Sequence, residues 1–240
     1  MSIFNFKEFS IKQDRCAMKI GTDAVLLGAW ASVAQAASIL DIGTGTGLLA
    51  LMSAQRNKLA QIDAVEIEQE ATEQANDNFS KSPWSNRLNC INLSIQNYQS
   101  TTPRLYDSII TNPPYFDINS STAITKEARS KARTTEYLPK NELISSTFEL
   151  LSPTGNLSLI LPLEEGNIFI LSAQKYAFYL KRKTFVIPKI GKKANRLLIE
   201  LVKYPCVCQE KELVLRSLEK GPHNYTEEFK KLHQRFYLFL

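Results

Sequence analysis

Ile39-Leu40-Asp41-Ile42-Gly43-Thr44-Gly45-Thr46-Gly47 is the stretch that decides the fold. Its first four residues form a short, mainly apolar run, which is typical of a buried strand. Glycine then occupies every second position, and a glycine backbone can turn tightly and pass close to a bound molecule because it carries no Cβ. The following segment, 48–55, has the pattern of a helix. The stretch therefore predicts the strand, turn and helix that open an α/β sheet.

The rest of the chain continues this alternation, which implies right-handed crossovers and a mostly parallel sheet with helices on both faces. Pro153-Thr154-Gly155-Asn156 is a predicted turn, and the polar segment 117–133 is a predicted loop at the mouth of a site. We see no linker and expect one domain over 1–240, with a lead-in and helix over 1–35 and the core over 36–240. The predicted strands are 39–42, 62–67, 88–95, 106–111, 157–161, 180–187 and 196–202, and the predicted helices are one capped by Thr22-Asp23, 48–55, 68–79, 139–151, 164–177 and one capped by Thr226.

The distribution of single residue types excludes several classes of protein. No apolar run approaches the ~20 residues needed to cross a bilayer, and the start of the chain is too charged for a signal peptide. Four scattered cysteines and two histidines give no zinc-binding pattern, so we expect no metal and reduced thiols. His223 and His233 lie in polar surroundings, where we expect surface positions. These features predict a cytoplasmic protein.

Basic residues are concentrated in one stretch. Between Lys175 and Lys203 there are nine lysines and arginines against one acid, Glu200, although the net charge of the whole chain is only +5. A polyanion partner would use such a stretch, and a solvated surface explains the charges alone equally well. If the partner is RNA, the candidate phosphate contacts are Arg133, Lys181, Arg182, Lys183, Lys189, Lys192, Lys193 and Arg196.

The glycine turn and one acidic residue predict a nucleoside cofactor. Gly43, Gly45 and Gly47 follow a Gly-x-Gly-x-Gly pattern, which differs from the Gly-x-Gly-x-x-Gly pattern of dinucleotide binding. Glu66 stands about twenty residues further on, at the end of the second predicted strand, where its carboxylate can accept both ribose hydroxyls. A glycine-rich turn without a ligand is the alternative, and the position of Glu66 favours the cofactor. Ligands of such sheets bind at the carboxyl ends of the strands.

Asn112-Pro113-Pro114-Tyr115 follows the fourth predicted strand and predicts a site for a planar amine. The lone pair of such a nitrogen is delocalised, so the nitrogen is a poor nucleophile. The Asn112 side-chain oxygen and the Pro113 carbonyl can accept its N–H groups and draw it toward tetrahedral geometry. The prolines have a fixed φ and no N–H donor, and Tyr115 can stack on the target ring. A Pro-rich turn that only closes a strand is less plausible, because the glycine turn lies at the same predicted edge.

Six segments match one family of proteins. They are Asp14-Arg15-Cys16-Ala17-Met18-Lys19, Gly21-Thr22-Asp23, Leu26-Leu27-Gly28-Ala29-Trp30, Asp41-Ile42-Gly43, Asn112-Pro113-Pro114-Tyr115 and Phe236-Tyr237-Leu238-Phe239. With them the chain resembles S-adenosylmethionine-dependent methyltransferases of class I, which have a seven-stranded, mostly parallel Rossmann-like sheet. More narrowly, it resembles the bacterial tRNA1(Val) adenine-N6 methyltransferase family over nearly its whole length. The first two segments are more specific than the glycine and proline motifs.

The resemblance implies methylation of the exocyclic N6 of adenosine 37 in the anticodon loop of valine tRNA, with S-adenosyl-L-methionine as cofactor. We expect no membrane, no metal and no obligate protein partner. The candidate catalytic residues are Asn112, Pro113, Pro114 and Tyr115. The candidate cofactor-binding residues are Gly21, Thr22, Asp23, Asp41, Gly43, Gly45, Gly47, Glu66, Ile67 and Ser94.

One position departs from the family pattern, and other functions stay open. Ser94 stands where the family usually has an Asp that accepts from the adenine amine of the cofactor, so affinity is lower or Gln96 or Asn97 compensates. The Asn-Pro-Pro-Tyr motif also suits N5-methylation of a protein glutamine. Methylation of an adenine in DNA or of a guanine in rRNA is a further alternative. A cofactor-binding RNA chaperone is the non-enzymatic alternative, against which the intact Asn112 argues. The N-terminal match and the basic stretch favour tRNA.

Overall fold

Eight strands form one sheet in the computed structural model, and two further strands form a separate hairpin. The structure describes residues 3–16, 19–114, 138–219, 221 and 224–238, so the loop predicted at 117–133 lies outside the described residues. The hairpin pairs β1 (Ile3–Asn5) with β2 (Ser10–Lys12). The sheet contains β3 (Ser38–Ile42), β4 (Gln61–Glu66), β5 (Leu88–Asn92), β6 (Tyr106–Thr111), β7 (Leu151–Pro162), β8 (Tyr179–Ile187), β9 (Arg196–Val202) and β10 (Gln209–Val214).

The strand order across the sheet is β10-β8-β9-β7-β6-β3-β4-β5. Every pairing is parallel except the two made by β9, which runs against both β7 and β8. The carboxyl ends of the other seven sheet strands therefore meet at one edge. The predicted fold class is confirmed: the order β5-β4-β3-β6-β7-β9-β8 is the seven-stranded, mostly parallel sheet, and β10 is an additional strand at its edge.

Helices cover both faces of this sheet. They are α1 (Thr22–Trp30), α2 (Leu48–Arg56), α3 (Gln69–Ser80), α4 (Ile95–Thr101), α5 (Lys140–Leu150), α6 (Leu163–Gln174) and α7 (Glu227–His233), with a 3₁₀ turn at Ser85–Arg87. One core cluster contains residues of α1, α2, α3 and α7, and the other contains residues of α4, α5 and α6. Alternate strand residues face the two clusters: Ile160 belongs to the first, and Leu159 and Leu161 to the second. Because both faces are buried there, inner strands such as β3 and β9 are buried almost throughout and mainly apolar.

Several predicted boundaries are wrong, each for a local reason. The third predicted strand, 88–95, ends at Asn92, because Ser94 caps α4 by accepting a hydrogen bond from the Asn97 amide at 3.2 Å. Thr22-Asp23 is not the cap of α1; the N-cap is Gly21, without a side-chain hydrogen bond. The turn predicted at 153–156 is an irregularity inside the long strand β7.

Two predictions near the C-terminus have different outcomes. Thr226 caps the last helix as predicted, since its Oγ1 accepts from the Phe229 amide at 3.2 Å. His233 is not at the surface: it is fully buried, and its ring stacks on that of Phe229 with centroids 4.0 Å apart. Burial lowers the pKa of His233 to about 4. Phe229, His233 and Phe236 recur at helical spacing and face the core together, whereas their charged neighbours in sequence face out.

No helix in the described part of the chain is long and apolar enough to span a bilayer. His223, the other histidine, lies outside that part.

Candidate functional site

A cleft of about 630 Å³ opens at the carboxyl ends of β5, β4, β3 and β6. Each of these strands ends in residues that line it: the segment 93–96 after β5, 65–67 at the end of β4, Ile42 with the glycine turn after β3, and 111–114 at the end of β6. The order of these segments across the cleft follows the order of the strands. The glycine turn and the Asn-Pro-Pro segment, which are far apart in the chain, therefore share one cavity.

The glycine turn forms the floor of the cleft. Gly43 and Gly45 line it with positive φ angles of 66° and 53°, and a Cβ built on either would meet nothing within 4 Å. The backbone here thus borders open space in which a ligand fits. The Gly43 amide donates to the Val65 carbonyl at 2.9 Å, which fixes the turn to β4. Gly47 has another role, because its added Cβ would lie 2.5 Å from the ring of Phe79.

Asp41 lies behind the turn and is fully buried. Its Oδ2 accepts from Thr44 Oγ1 at 2.5 Å and from the Ala50 amide at 3.0 Å, so it joins β3, the glycine turn and α2. Burial raises the pKa of Asp41 to about 7, against the two hydrogen bonds, which lower it. Oδ1 has no hydrogen-bond partner among the described residues. Asp41, a predicted cofactor ligand, is therefore placed to act through the shape of the turn.

Glu66 projects into the cleft from the end of β4. Its Oε2 accepts from the Gly45 amide at 2.9 Å and its Oε1 accepts from the Glu68 amide at 3.1 Å. Asn92 at the end of β5 donates to the carbonyls of Glu66 and Ile67 at 3.0 and 2.9 Å, which fixes the backbone of this segment. A carboxylate has about four acceptor positions, so two remain for hydroxyl groups of a ligand.

Ser94, after β5, and Ile67, after β4, line the same cleft. The Ser94 hydroxyl accepts from the Asn97 amide and keeps its own proton for a further bond. Of the two side chains considered as substitutes for the missing Asp, Gln96 lines the cleft and Asn97 does not. The Gln96 side-chain amide donates to the Glu142 carboxylate at the start of α5.

Asn112, Pro113 and Pro114 line the cleft directly after β6. Thr111 Oγ1 donates to the Ile42 carbonyl at 2.9 Å, and this buried bond fixes the end of β6 against the start of the glycine turn. Pro113 is buried and Asn112 is half-buried, so the segment is held by its surroundings. Tyr115 lies outside the described residues.

Gly21, Thr22 and Asp23 do not line the cleft. Gly21 is the N-cap of α1, and the Asp23 carboxylate accepts from Arg196 Nε at 2.8 Å. This ion pair joins the start of α1 to the start of β9. The described geometry thus gives Asp23, and with it Arg196, a role in connecting two elements near the site.

Asp14, Arg15 and Cys16 line the cleft, although the sequence did not single them out as site residues. The segment is far from the other motifs in the chain, and the signal that could have found it is its place in the most specific part of the family match. Burial, then Glu66 and then Asp14, raise the pKa of the Cys16 thiol to about 11. Cys16 is therefore a neutral thiol at neutral pH.

The basic residues on β8 are paired with acids. Lys181 Nζ and Arg182 Nη2 lie 3.3 and 2.7 Å from the buried Glu200 carboxylate, and Arg182 also stacks over the Trp30 ring at 3.6 Å. Lys183 pairs with Glu210 on the neighbouring strand β10 at 2.9 Å. These three candidates for RNA contact have structural partners.

The loop between β8 and β9 differs from the strand that precedes it. Lys192 and Lys193 are exposed, and Lys189 is half-buried. Because β8 runs parallel to β7 across the antiparallel β9, this loop lies at the same edge of the sheet as Asn112. The Ile190 amide donates to the Arg216 carbonyl at 3.0 Å, which fixes the loop beside the end of β10. Arg133 lies outside the described residues.

Comparison with known proteins gives this geometry a context. The chain matches the family described as "Methyltransferase small domain" over residues 17–162. It is 46% identical to the tRNA1(Val) (adenine(37)-N6)-methyltransferase of Aliivibrio salmonicida (strain LFI1238), over 98% of this chain and 97% of that protein. It is 44% identical to the protein of the same name in Haemophilus influenzae (strain PittGG), over 99% of each.

A solved structure shows the same fold. A predicted O-methyltransferase from Agrobacterium tumefaciens matches with a TM-score of 0.66 at 19% identity, over 89% of this chain and 96% of that one. The chain therefore belongs to the methyltransferase small-domain family and, within it, to the family of the tRNA1(Val) (adenine(37)-N6)-methyltransferases.

Proposed function

We propose that this protein methylates the exocyclic N6 of adenosine 37 in tRNA1(Val), with S-adenosyl-L-methionine as methyl donor. The activity named for relatives that are 46% and 44% identical over nearly the whole chain supports the reaction and the substrate. The observation that carries the proposal is that Asn112 and Pro113 line the same cleft as Glu66. A site for an amine and a site for a nucleoside then share one cavity. The enzyme that we propose is cytoplasmic and has one domain.

The residues of the cleft fit S-adenosyl-L-methionine. The open space above Gly43 and Gly45 can accept a ligand against bare backbone. Glu66 can accept the two ribose hydroxyls, and Ser94 and Ile67 are available to the adenine. The cleft is acidic, with Glu68 and Glu70 beside Glu66, which suits a ligand with a positive sulfonium. Bound there, the cofactor supplies an electrophilic methyl group.

Asn112 and Pro113 act on the adenine amine. The Asn112 side-chain carbonyl and the Pro113 backbone carbonyl accept its two N–H groups, which draws the nitrogen lone pair out of conjugation. The nitrogen can release a proton after it has attacked, so the chain needs no general base. Alignment and electrostatic stabilisation are then the main contributions of the protein.

The Cys16 thiol lines the cleft but does not compete with the amine at neutral pH. A thiolate is a strong nucleophile and would compete with the amine for the methyl group. Since burial and the neighbouring acids raise the pKa of Cys16 to about 11, the thiolate is scarce at neutral pH. The amine is then the nucleophile that the cleft presents.

The loop between β8 and β9 is the part of the basic stretch that we assign to RNA. Its lysines are exposed at the edge that carries Asn112, whereas Lys181 and Arg182 neutralise Glu200. An adenosine in an anticodon loop must turn out of its stack to enter a recessed site. Contacts from Lys189, Lys192 and Lys193 to neighbouring phosphates would hold the rest of the RNA during that step.

The test is methyl transfer from radiolabelled S-adenosyl-L-methionine to unmodified tRNA1(Val), followed by mass spectrometry of the nucleosides. We expect a single N6-methyladenosine, located at position 37 by nuclease mapping. Transcripts with adenosine 37 replaced by guanosine are the matched control and should stay unlabelled. Label on a protein glutamine and not on tRNA would replace this proposal with the glutamine reaction, and binding of RNA without transfer would favour the chaperone.

A further inference from the structure

The described residues that line the cleft include one cation among several acids. Of the described residues that line it, Arg15 is the only lysine or arginine, whereas Asp14, Glu66, Glu68 and Glu70 each contribute a carboxylate. The sulfonium and ammonium groups of S-adenosyl-L-methionine suit such surroundings, but its carboxylate does not. Because like charges repel at close range, the carboxylate of a bound cofactor needs a cationic partner in this cleft.

The backbone around Arg15 is fixed to α3. The amides of Asp14 and Arg15 both donate to Gln74 Oε1, at 3.2 and 3.1 Å. The Lys12 amide donates to Asn78 Oδ1, and Asn78 Nδ2 donates back to the Lys12 carbonyl, both at 3.0 Å. Gln74 and Asn78 are 1% and 2% exposed and stand one turn apart on α3. The segment Lys12–Cys16, which we call the strap, is thus held by buried amides.

The strap is also connected to the glycine turn. Asn78 Nδ2, which binds the Lys12 carbonyl, donates to the Thr46 carbonyl at 2.8 Å as well. Across the cleft, Ser94 stands at the end of β5 and Glu66 at the end of β4, followed by the turn after β3. A nucleoside with its base near Ser94 and its ribose on Glu66 would extend its 5′ substituent past the turn, toward the strap.

The guanidinium of Arg15 is free to change partners. It lies 3.8 Å from Glu73 and 3.5 Å from Asp77, and all three side chains are roughly half exposed. Exposed ion pairs with such long distances contribute little stability. Arg15 can therefore exchange them for a ligand carboxylate without leaving a buried charge unpaired.

We propose that Arg15 binds the carboxylate at the amino-acid end of the cofactor, with the neighbouring Asp14 facing the ammonium group. This inference deepens the proposed function and rests on S-adenosyl-L-methionine being the cofactor. It assigns to the strap the recognition of the amino-acid end, and to Glu66 that of the ribose.

Two nucleosides separate these roles in a calorimetric titration of the full chain. S-adenosylhomocysteine has the amino-acid end, and 5′-methylthioadenosine lacks it but keeps the base, the ribose and the sulfur. Arg15→Gln should weaken S-adenosylhomocysteine roughly 10- to 100-fold, as expected for loss of a hydrogen bond between charged groups, and leave 5′-methylthioadenosine unchanged. Glu66→Gln should weaken both ligands.

A second variant excludes a purely structural role for Arg15. Glu73→Gln combined with Asp77→Asn removes the same ion pairs from the other side, and should keep or increase affinity for S-adenosylhomocysteine. A loss as large as that of Arg15→Gln would show that Arg15 only fastens the strap, and would overturn the inference. So would equal affinity of wild type and Arg15→Gln for S-adenosylhomocysteine. If the wild type binds neither nucleoside, the proposed cofactor itself is wrong.

Discussion

Two regions at the same edge of the sheet are built in opposite ways. The cleft at the ends of β5, β4, β3 and β6 is concave and acidic, and hydrogen bonds from backbone amides fix Glu66 and Asp41. The loop between β8 and β9 is basic, and Lys192 and Lys193 extend from it into solvent. Alignment of a reacting atom requires fixed groups, whereas attraction of a polyanion requires only charge at short range. Substitutions should therefore act on different measured quantities in the two regions.

Asn112→Ala should give the largest effect and act on the rate alone. The side chain lines the cleft at the end of β6 and is proposed to accept from the amine, so its loss should lower the rate of transfer by ~10²–10³-fold. Affinity for S-adenosylhomocysteine should stay nearly unchanged, because Asn112 does not act on the cofactor. Single-turnover kinetics and calorimetry on the same preparation measure both quantities. Near-wild-type turnover would remove Asn112 from the mechanism.

Asp41→Asn should change stability in a way that depends on pH. The folded pKa of Asp41 is raised to about 7 from an ordinary value of 3.8, so the folded state holds its proton more tightly than the unfolded chain. The free energy of unfolding therefore falls as pH rises from about 4 to about 7. Asn keeps an acceptor for Thr44 and Ala50 but has no charge, so it should relieve a penalty of the order of 4 kcal/mol above that range.

Urea unfolding of both proteins at a series of pH values measures this difference. His233 titrates in the opposite sense, since its pKa is lowered to about 4 and its contribution to stability is lost as pH falls. Both proteins contain His233, so its contribution cancels in the difference between them. A difference that does not vary between pH 4 and pH 8 would show that Asp41 carries no such penalty.

Lys192→Glu with Lys193→Glu should weaken tRNA binding roughly 10-fold at moderate salt and leave cofactor binding unchanged. Each phosphate that a lysine neutralises on a single strand contributes ~0.7 to the slope of log K against log salt. The slope should therefore become shallower by about 0.7 for each phosphate contact that the variant loses. The matched control is Lys58→Glu with Lys81→Glu, since both lysines are exposed and follow the C-terminal ends of α2 and α3, at the opposite edge. Equal slopes in the two double variants would make the loop only a solvated surface.

The sequence predicts those parts of the molecule that depend on short stretches of chain. The glycine turn, Glu66 and the Asn-Pro-Pro segment each follow a recognisable strand, and a parallel sheet brings the ends of such strands together. The strap could not be found in this way, because Gln74 and Asn78, which hold it, are ordinary polar residues of a helix about sixty positions away.

The partners of charged side chains and the edge strand of the sheet are the features that the sequence predicts least well. Arg182 is one of nine basic residues in a run, and only the register of β8 with β9 shows that it faces Glu200. The sequence does not indicate the edge strand β10, because four of its six residues are exposed and polar and it has no apolar run. Pairing across strands decides both cases, and pairing partners are not neighbours in sequence.

Ser94→Asp should give the smallest effect, and it should increase the affinity of the cleft for the cofactor product instead of lowering it. Ser94 caps α4 by accepting from the Asn97 amide, and Asp is an equally good capping residue, so the helix should be unaffected. The new carboxylate would line the cleft and offer the adenine amine a charge-assisted acceptor, which should tighten binding of S-adenosylhomocysteine several-fold. Ser94→Asn is the matched control, since it can cap the helix without adding charge. Equal or weaker affinity of the Asp variant would mean that another group, with Gln96 the nearest candidate in the cleft, already accepts from the adenine.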